Sequence, residues 1–148
     1  MKDLIGVAGK VTFNLNGKIV HSENLVVNTG IAFITSRLFD ASSAVMSHMA
    51  VGTDSSVPTG TQTNLLATIG ARLPLDSTNR VTVGAITNDT IQYVCTFGPG
   101  VSTGVLREAG LFNALTGGTM LSRVQFAAIN KLAADTLVIT WQIKFEPV

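Results

Sequence analysis

A strict alternation of apolar and polar residues near the end of the chain constrains the fold more than any other feature. Over residues 137–146 the odd positions are all apolar, and they are Leu137, Ile139, Trp141, Ile143 and Phe145. The positions between them are polar, except for Val138. Successive side chains of a β-strand point to opposite faces of the sheet, so this period of two predicts a strand with one buried face. We therefore expect Trp141, Ile139 and Ile143 in the core, together with Phe112 from an earlier apolar strand.

Residues 105–126 read as two further apolar strands joined by a Gly-Gly turn, and the first strand contains the adjacent pair Arg107 and Glu108. Because neighbouring strand residues face opposite sides, a charge accompanies whichever face packs inward, unless a bulge or an edge position intervenes. Burying a charge without a partner is costly. We therefore predict that Glu108 is buried in a structural ion pair with an arginine, Arg72 as the first candidate and Arg123 as the second.

The first hairpin is indicated by its turn chemistry. Residues 5–15 alternate apolar with small or polar side chains, and Asn16 and Gly17 follow directly. Asn-Gly is the strongest short-range hairpin signal, because both turn positions require positive φ. We predict a return strand at about residues 18–27.

One long helix is predicted, over residues 30–39. Apolar residues recur there on one face at helical spacing, and Asn28 or Thr29 can cap the first turn. The remainder of the chain has the signals of strands and turns.

The middle of the chain predicts short strands and one long loop. A strand over residues 47–52 is followed by a loop rich in Gly, Pro, Ser and Thr over residues 53–63. Residues 64–69 are interpreted as one helical turn. A second hairpin pairs residues 80–87 with residues 90–97 around an Asn-Asp turn.

These elements amount to eight or nine strands, with hairpin signals at fairly regular spacing, and one helix. That pattern predicts a mainly β protein, an antiparallel β-sandwich with the helix covering one end or edge. The turns leave jelly-roll and immunoglobulin-like topologies open. A chain of 148 residues is long enough for one sizeable core, so we expect a single domain over residues 1–148.

The chain is poor in charge. Lys, Arg, Asp and Glu make up 13% of its residues, against roughly 25% in a typical globular domain, whereas apolar residues make up 46%. Interface cores are depleted in charge, so we interpret the deficit as a sign that part of the surface contacts other protein chains. We expect a homo-oligomer. The alternative is a compact β protein with a Ser, Thr and Asn surface.

The same composition argues against other partners. The net charge of +1 and the lack of a Lys/Arg run argue against direct nucleic-acid binding. The chain has no run of about 18 apolar residues, so no membrane span is predicted. Its first residues lack the pattern of a signal peptide. The single Cys95 cannot form an intrachain disulfide, which is compatible with a reducing compartment.

No combination of residues indicates catalysis, a metal or a cofactor. His21 and His48 lack metal-ligand spacing, and Cys95 lies in an apolar strand without a recognisable base. The glycines of residues 98–104 have neither the spacing nor the βαβ context of a phosphate loop. Asp54 lacks the repeated acidic ligands of a calcium loop. We therefore expect a protein that is not an enzyme and that holds no cofactor or metal.

Four stretches carry a resemblance that covers nearly the whole chain. They include ENLVVNTGIAFITSRL at residues 23–38, EAGLFNA at 108–114, GGTML at 117–121 and DTLVITW at 135–141. Together with a threonine- and proline-rich loop after a VGT strand end, they resemble a family of small virion structural proteins from tailed bacteriophages. The sequence GTDSS at 52–56 departs from the second glycine that this family's pattern has, a departure that affects the loop.

The resemblance implies a component of the phage particle, assembled in the host cytoplasm, and no catalytic residue. It favours an accessory capsid protein, of the decoration or cement type, that binds major capsid proteins and stabilises the shell. The alternative is a tail, collar or baseplate component that attaches fibres or completes a ring. A carbohydrate-binding module is less favoured, since such sites need exposed aromatic platforms and the chain has one Trp and one Tyr, both on apolar strand faces.

Overall fold

A computed structural model describes residues 4–148 and consists of two five-stranded antiparallel sheets packed together. The first sheet has the order β2 (Lys18–Glu23), β1 (Ile5–Leu15), β10 (Leu137–Pro147), β7 (Thr90–Phe97) and β6 (Ser77–Val81). The second has the order β3 (Leu25–Val26), β9 (Met120–Lys131), β8 (Gly104–Phe112), β4 (His48–Gly52) and β5 (Thr68–Pro74). The helix α1 (Asn28–Phe39) connects β3 to β4, which both belong to the second sheet. The prediction of an antiparallel β-sandwich with one helix is confirmed.

The first and last strands lie side by side at the centre of the first sheet. Every residue from Ile5 to Leu15 pairs with a residue of β10, so that Val11 lies opposite Trp141. The apolar residues of β10 point inward as the alternation predicts, and Ile139, Trp141 and Ile143 are buried in the main core between the sheets. This pairing brings the two ends of the described chain together through a long-range contact.

A second, smaller apolar cluster lies on the other face of the second sheet. It consists of Val27, Ala50, Leu65, Phe112 and Met120, and all of them are buried. Leu65 comes from the segment between β4 and β5, so this segment covers the outer face of the sheet. Phe112 is therefore a core residue of this outer cluster and does not belong to the core between the sheets.

A local irregularity resolves the conflict between charge and burial in β8. Leu106 pairs with Ile129 and Glu108 pairs with Gln125, so residues 126–128 of β9 lie opposite the single residue Arg107. Such an irregularity changes which face a side chain occupies. Leu106 and Ala109 consequently both enter the main core, while Glu108 between them is directed to the outer face of the sheet.

The helix begins two residues earlier than predicted, and its predicted caps are wrong. Val27 occupies the N-cap position, and no side chain caps the first turn. Asn28 and Thr29 lie inside the helix, and the Thr29 hydroxyl donates to the carbonyl oxygen of Met120 at 3.1 Å. Gly30 packs so closely on the backbone of Leu121 that a Cβ there would overlap its carbonyl oxygen. Contact with β9 therefore positions the helix.

Two other local predictions are also wrong. Residues 64–67 form no helical turn, and β5 begins at Thr68. The partner of β7 is Ser77–Val81 and not residues 80–87, because residues 82–89 turn back as a loop. That loop is held by Asp89, whose carboxylate accepts hydrogen bonds from the backbone N–H groups of Val83 and Gly84 at 3.0 and 2.9 Å. The predicted apolar row therefore ends at Val81, and Val83 is exposed.

Candidate functional site

The most densely connected group of charged side chains is centred on Glu108 and Arg123 on the outer face of the second sheet. Arg123 in β9 pairs directly with Gly110 of β8, which makes it a diagonal neighbour of Glu108. Its Nε and Nη2 atoms both lie 2.9 Å from Oε2 of Glu108. Neither side chain is exposed to solvent. The structure thus brings Glu108 together with Arg123, the second of the two arginines proposed from the sequence.

The Glu108 carboxylate also binds the backbone of the segment that covers it. Oε2 accepts a hydrogen bond from the N–H group of Leu66 at 3.1 Å, and Oε1 accepts one from Ala67 at 2.7 Å. Gly52 provides room for this arrangement, because a Cβ at that position would overlap Oε1 of Glu108 and the carbonyl oxygen of Ala67. Hydrogen bonds to a carboxylate and an opposite charge together offset the cost of burying it.

The remaining donors of Arg123 bind the loop that precedes Leu66. Nη1 donates to the carbonyl oxygen of Ser56 at 3.0 Å and to Oε1 of Gln62 at 3.3 Å. Nη2 lies 3.1 Å from Oδ1 of Asp54. One buried guanidinium therefore ties three points of residues 53–67 to the sheet. We call Glu108, Arg123, Asp54 and Gln62 the loop-anchoring network.

Asp54 completes the network at its solvent side. Its Oδ1 accepts hydrogen bonds from the backbone N–H and the hydroxyl of Ser56, which form a local turn. These bonds, with the nearby charge of Arg123, hold the pKa of Asp54 below its usual value. The carboxylate is therefore ionised at neutral pH and shares the single positive charge of Arg123 with Glu108.

Arg72 does not pair with Glu108, and this part of the prediction is wrong. Its Nη1 atom donates to the carbonyl oxygens of Ala114 and Gly117, at 2.9 and 2.7 Å. Its guanidinium lies over the ring of Phe112, 3.6 Å from the ring centroid. Because β5 places Arg72 at an edge of the sheet, it braces the loop between β8 and β9 while Glu108 lies further in.

The other reactive side chains take no part in this network. Cys95 is buried, and burial raises the pKa of its thiol to about 12. His21 shares a hydrogen bond with the hydroxyl of Thr12, and His48 shares one with the hydroxyl of Ser47. Within residues 4–148, no three His, Cys, Asp or Glu side chains are placed to hold a metal ion. The network itself directs its donors and acceptors to the chain's own backbone, which is an arrangement suited to holding a loop.

Three polar residues that hold loops in place, two of them in the loop-anchoring network, were not predicted from the sequence. Asp54 and Gln62 lie in the polar loop, where any side chain of that type could equally face solvent. Lys131 is fully buried at the end of β9, and its Nζ atom donates to the carbonyl oxygen of Gly98 at 2.8 Å. The signal for Asp54 was its Asp-Ser-Ser sequence, which favours a local side-chain turn but does not identify the arginine.

In comparisons with known proteins, no family model, no curated protein and no solved structure matches the chain. In the part of the chain that is described, no helix has the length and apolar character needed to cross a membrane.

Proposed function

We propose that this protein is a non-enzymatic structural component of a tailed-bacteriophage particle, an accessory capsid protein of the decoration or cement type. It binds major capsid proteins on the assembled shell and stabilises the particle. The resemblance of the sequence motifs to small virion proteins supports the class. The low charge of the surface and its exposed apolar side chains support contact with other protein chains.

The observation that carries the proposal is that the chain has few charged residues and that several of these are buried, so the surface is poor in charge. Of ten basic and nine acidic residues in the chain, Arg123, Lys131, Glu108 and Asp89 are buried. Large apolar side chains are exposed at several separate places on the sandwich. Examples are Leu38 and Phe39 at the end of α1, Val57 in the loop over the second sheet, and Leu132 before β10.

Apolar exposure on several faces suits a chain with several neighbours. Single exposed apolar residues are common on soluble proteins. Their combination with so few surface charges is more typical of chains whose surfaces are covered in an assembly. A protein that bridges shell subunits meets neighbours on more than one side, and this favours a lattice-bound role.

The loop-anchoring network also supports a role in stabilising the shell, because it holds a surface loop in one position. A cementing protein must hold its loops in place while the shell bears load. Residues 53–67 lack regular structure over most of their length, yet Glu108 and Arg123 fasten them at Leu66, Ala67, Ser56 and Gln62. A buried charged network of this kind specifies one loop conformation.

Copy number in purified particles tests the proposal directly. Quantitative gel densitometry or mass spectrometry should find hundreds of copies per particle if the protein decorates the capsid. The alternative, a tail, collar or baseplate component, predicts on the order of ten copies set by ring symmetry. The resemblance covers both classes of protein, so this measurement distinguishes them. Particles that form normally and contain no copy of the protein would refute both.

Direct binding provides the second arm of this test. Purified protein should co-sediment with shells assembled without it and raise the temperature at which they release their DNA. An unchanged release temperature, in shells that have bound the protein, would contradict a cementing role. Binding to isolated tails, and not to shells, would favour the alternative.

A further inference from the structure

An open groove of about 820 Å³ lies between α1 and the adjacent end of the first sheet. Phe33 and Ile34 of the helix form one wall, and Ile91, Tyr93 and Phe145 of the sheet form the other. The groove exists because the helix packs on β9 and leaves the end of the first sheet uncovered. Its lining is mainly apolar, and apolar surface of this kind is stabilised by being covered.

Two prominent apolar side chains stand at the end of the helix beside this groove. Leu38 and Phe39 are 84% and 85% exposed, the highest values among the large apolar residues of the described chain. Leu38 also contributes to the rim of the groove. The same end of the molecule therefore presents an apolar projection next to an apolar recess. A two-fold axis would allow each copy's projection to enter the other copy's recess.

The charges at this end are also complementary. Arg37 and Arg80 line the groove, and within residues 4–148 neither lies in an ion pair with a carboxylate. The Nη1 atom of Arg37 donates to the carbonyl oxygens of Ala41 and Ser43, which are neutral partners. Asp40 directly follows the apolar projection and is exposed. A projection that ends in a carboxylate thus matches a recess that contains two arginines.

We propose that this end of the sandwich is a self-association surface, in which Leu38 and Phe39 of one copy occupy the groove of a second copy. The Asp40 carboxylate of each copy then lies near Arg37 and Arg80 of the other. A second copy is favoured over an unrelated partner because the projection, the recess and both charge signs occur on one face. An isologous contact needs that self-complementarity, and a contact with a different protein does not. The inference goes beyond the proposed function, since it concerns the isolated chain.

Sedimentation velocity over a series of protein concentrations tests the proposal. The natural chain should form a dimer, and the double variant Leu38→Ser/Phe39→Ser should weaken it by at least about tenfold, as loss of a central apolar contact does. Leu132→Ser is the matched control. It removes another exposed apolar side chain, before the start of β10 and at the opposite end of that strand from Phe145, and should leave the dimer unchanged.

Charge reversal gives a test that does not depend on apolar substitutions. Asp40→Arg and Arg80→Asp should each weaken the dimer, and the double variant that carries both should restore it. Circular dichroism and thermal unfolding establish that each variant folds. Failure of the double variant to restore association would overturn the proposed charge contact and, with it, this orientation of the two copies.

A monomeric natural chain at all accessible concentrations would overturn the inference. That outcome would leave the copy-number test of the virion role untouched, since a monomer can still bind a shell. A dimer that persists in the Leu38→Ser/Phe39→Ser variant would also overturn it, by showing that a different face associates. If the natural chain is monomeric and binds shells, and the Leu38→Ser/Phe39→Ser variant does not bind them, the groove is instead a site for a capsid protein.

Discussion

Arg123 and Glu108 form a fully buried ion pair across two neighbouring strands, with Nε and Nη2 of the arginine both 2.9 Å from Oε2 of the glutamate. The pair lies on the outer face of its sheet, beneath a loop, and not in the core between the sheets. Its hydrogen bonds to Leu66 N–H and Ser56 C=O make it the point at which that loop is fastened.

Removing one member of this pair should be strongly destabilising. Arg123→Met should lower the free energy of unfolding by roughly 3–5 kcal/mol, because it leaves the buried Glu108 carboxylate without a counter-charge. Glu108→Gln should cost less, because Arg123 keeps Asp54 as an ion-pair partner. Chemical denaturation measures both values. Arg107→Gln, at the neighbouring and partly exposed position, is the control and should cost about 0–1 kcal/mol.

A double-mutant cycle over Glu108 and Arg123 separates their coupling from other effects. The double variant should lose less stability than the sum of the two single variants, since removing both leaves neither of these two buried charges without the other. A parallel cycle over Glu108 and Arg72 should be additive, as Arg72 binds the loop between β8 and β9. Additive losses in the first cycle would contradict a direct interaction.

Trp141 should be a major source of stability. It is fully buried opposite Val11 and Tyr93, so Trp141→Ala should cost roughly 3–5 kcal/mol. Within residues 4–148 its indole N–H finds no hydrogen-bond acceptor, so Trp141→Phe should cost less than the alanine variant. Native fluorescence should be blue-shifted, and an emission maximum typical of water-exposed indole would show that the inward face of β10 is assigned wrongly.

The Cys95 thiol should be unreactive in the folded protein. Burial raises its pKa to about 12, so almost none of the reactive thiolate is present at neutral pH. A thiol-specific reagent should modify it only as fast as the protein opens, and rapidly in denaturant. The labelling rate followed against denaturant concentration measures this. Fast labelling of the native protein, at the rate of a free thiol, would contradict the burial of β7.

Stability should fall in acid partly through Asp89. Hydrogen bonds from Val83 and Gly84 N–H and from the Thr90 hydroxyl hold the pKa of Asp89 below its unfolded value near 3.8. A depressed folded pKa contributes stability above the unfolded value, and this contribution is lost as pH falls through the folded value. Asp89→Asn should therefore be less stable than the natural chain at neutral pH.

The pH dependence itself provides the control for Asp89. The difference in unfolding temperature between Asp89→Asn and the natural chain should shrink steadily as the pH is lowered through the acid range. Both proteins lack the carboxylate charge once Asp89 is protonated. A difference that stays constant from neutral to strongly acidic pH would indicate that the carboxylate's charge plays no part in holding residues 82–89.

Patterns with a local cause were read correctly from the sequence. The period of two in β10 determined both the strand and its buried face, because strand geometry alone alternates the side chains. The turn at Asn16 and Gly17 was predicted for a similar reason, since positive φ is a property of those residues themselves, and both adopt it. The long loop after β4 followed from its Gly, Pro, Ser and Thr content.

Tertiary structure decided the features that depend on distant segments. Whether Glu108 meets Arg72 or Arg123 depends on the irregular pairing of β8 with β9 and on a loop folding over the second sheet, and neither has a local signal. The start of α1 was set by Gly30 packing on Leu121, which overrode the capping preference of Asn28 and Thr29. Local backbone preferences amount to about 1 kcal/mol, so a long-range contact or a buried charge easily outweighs them.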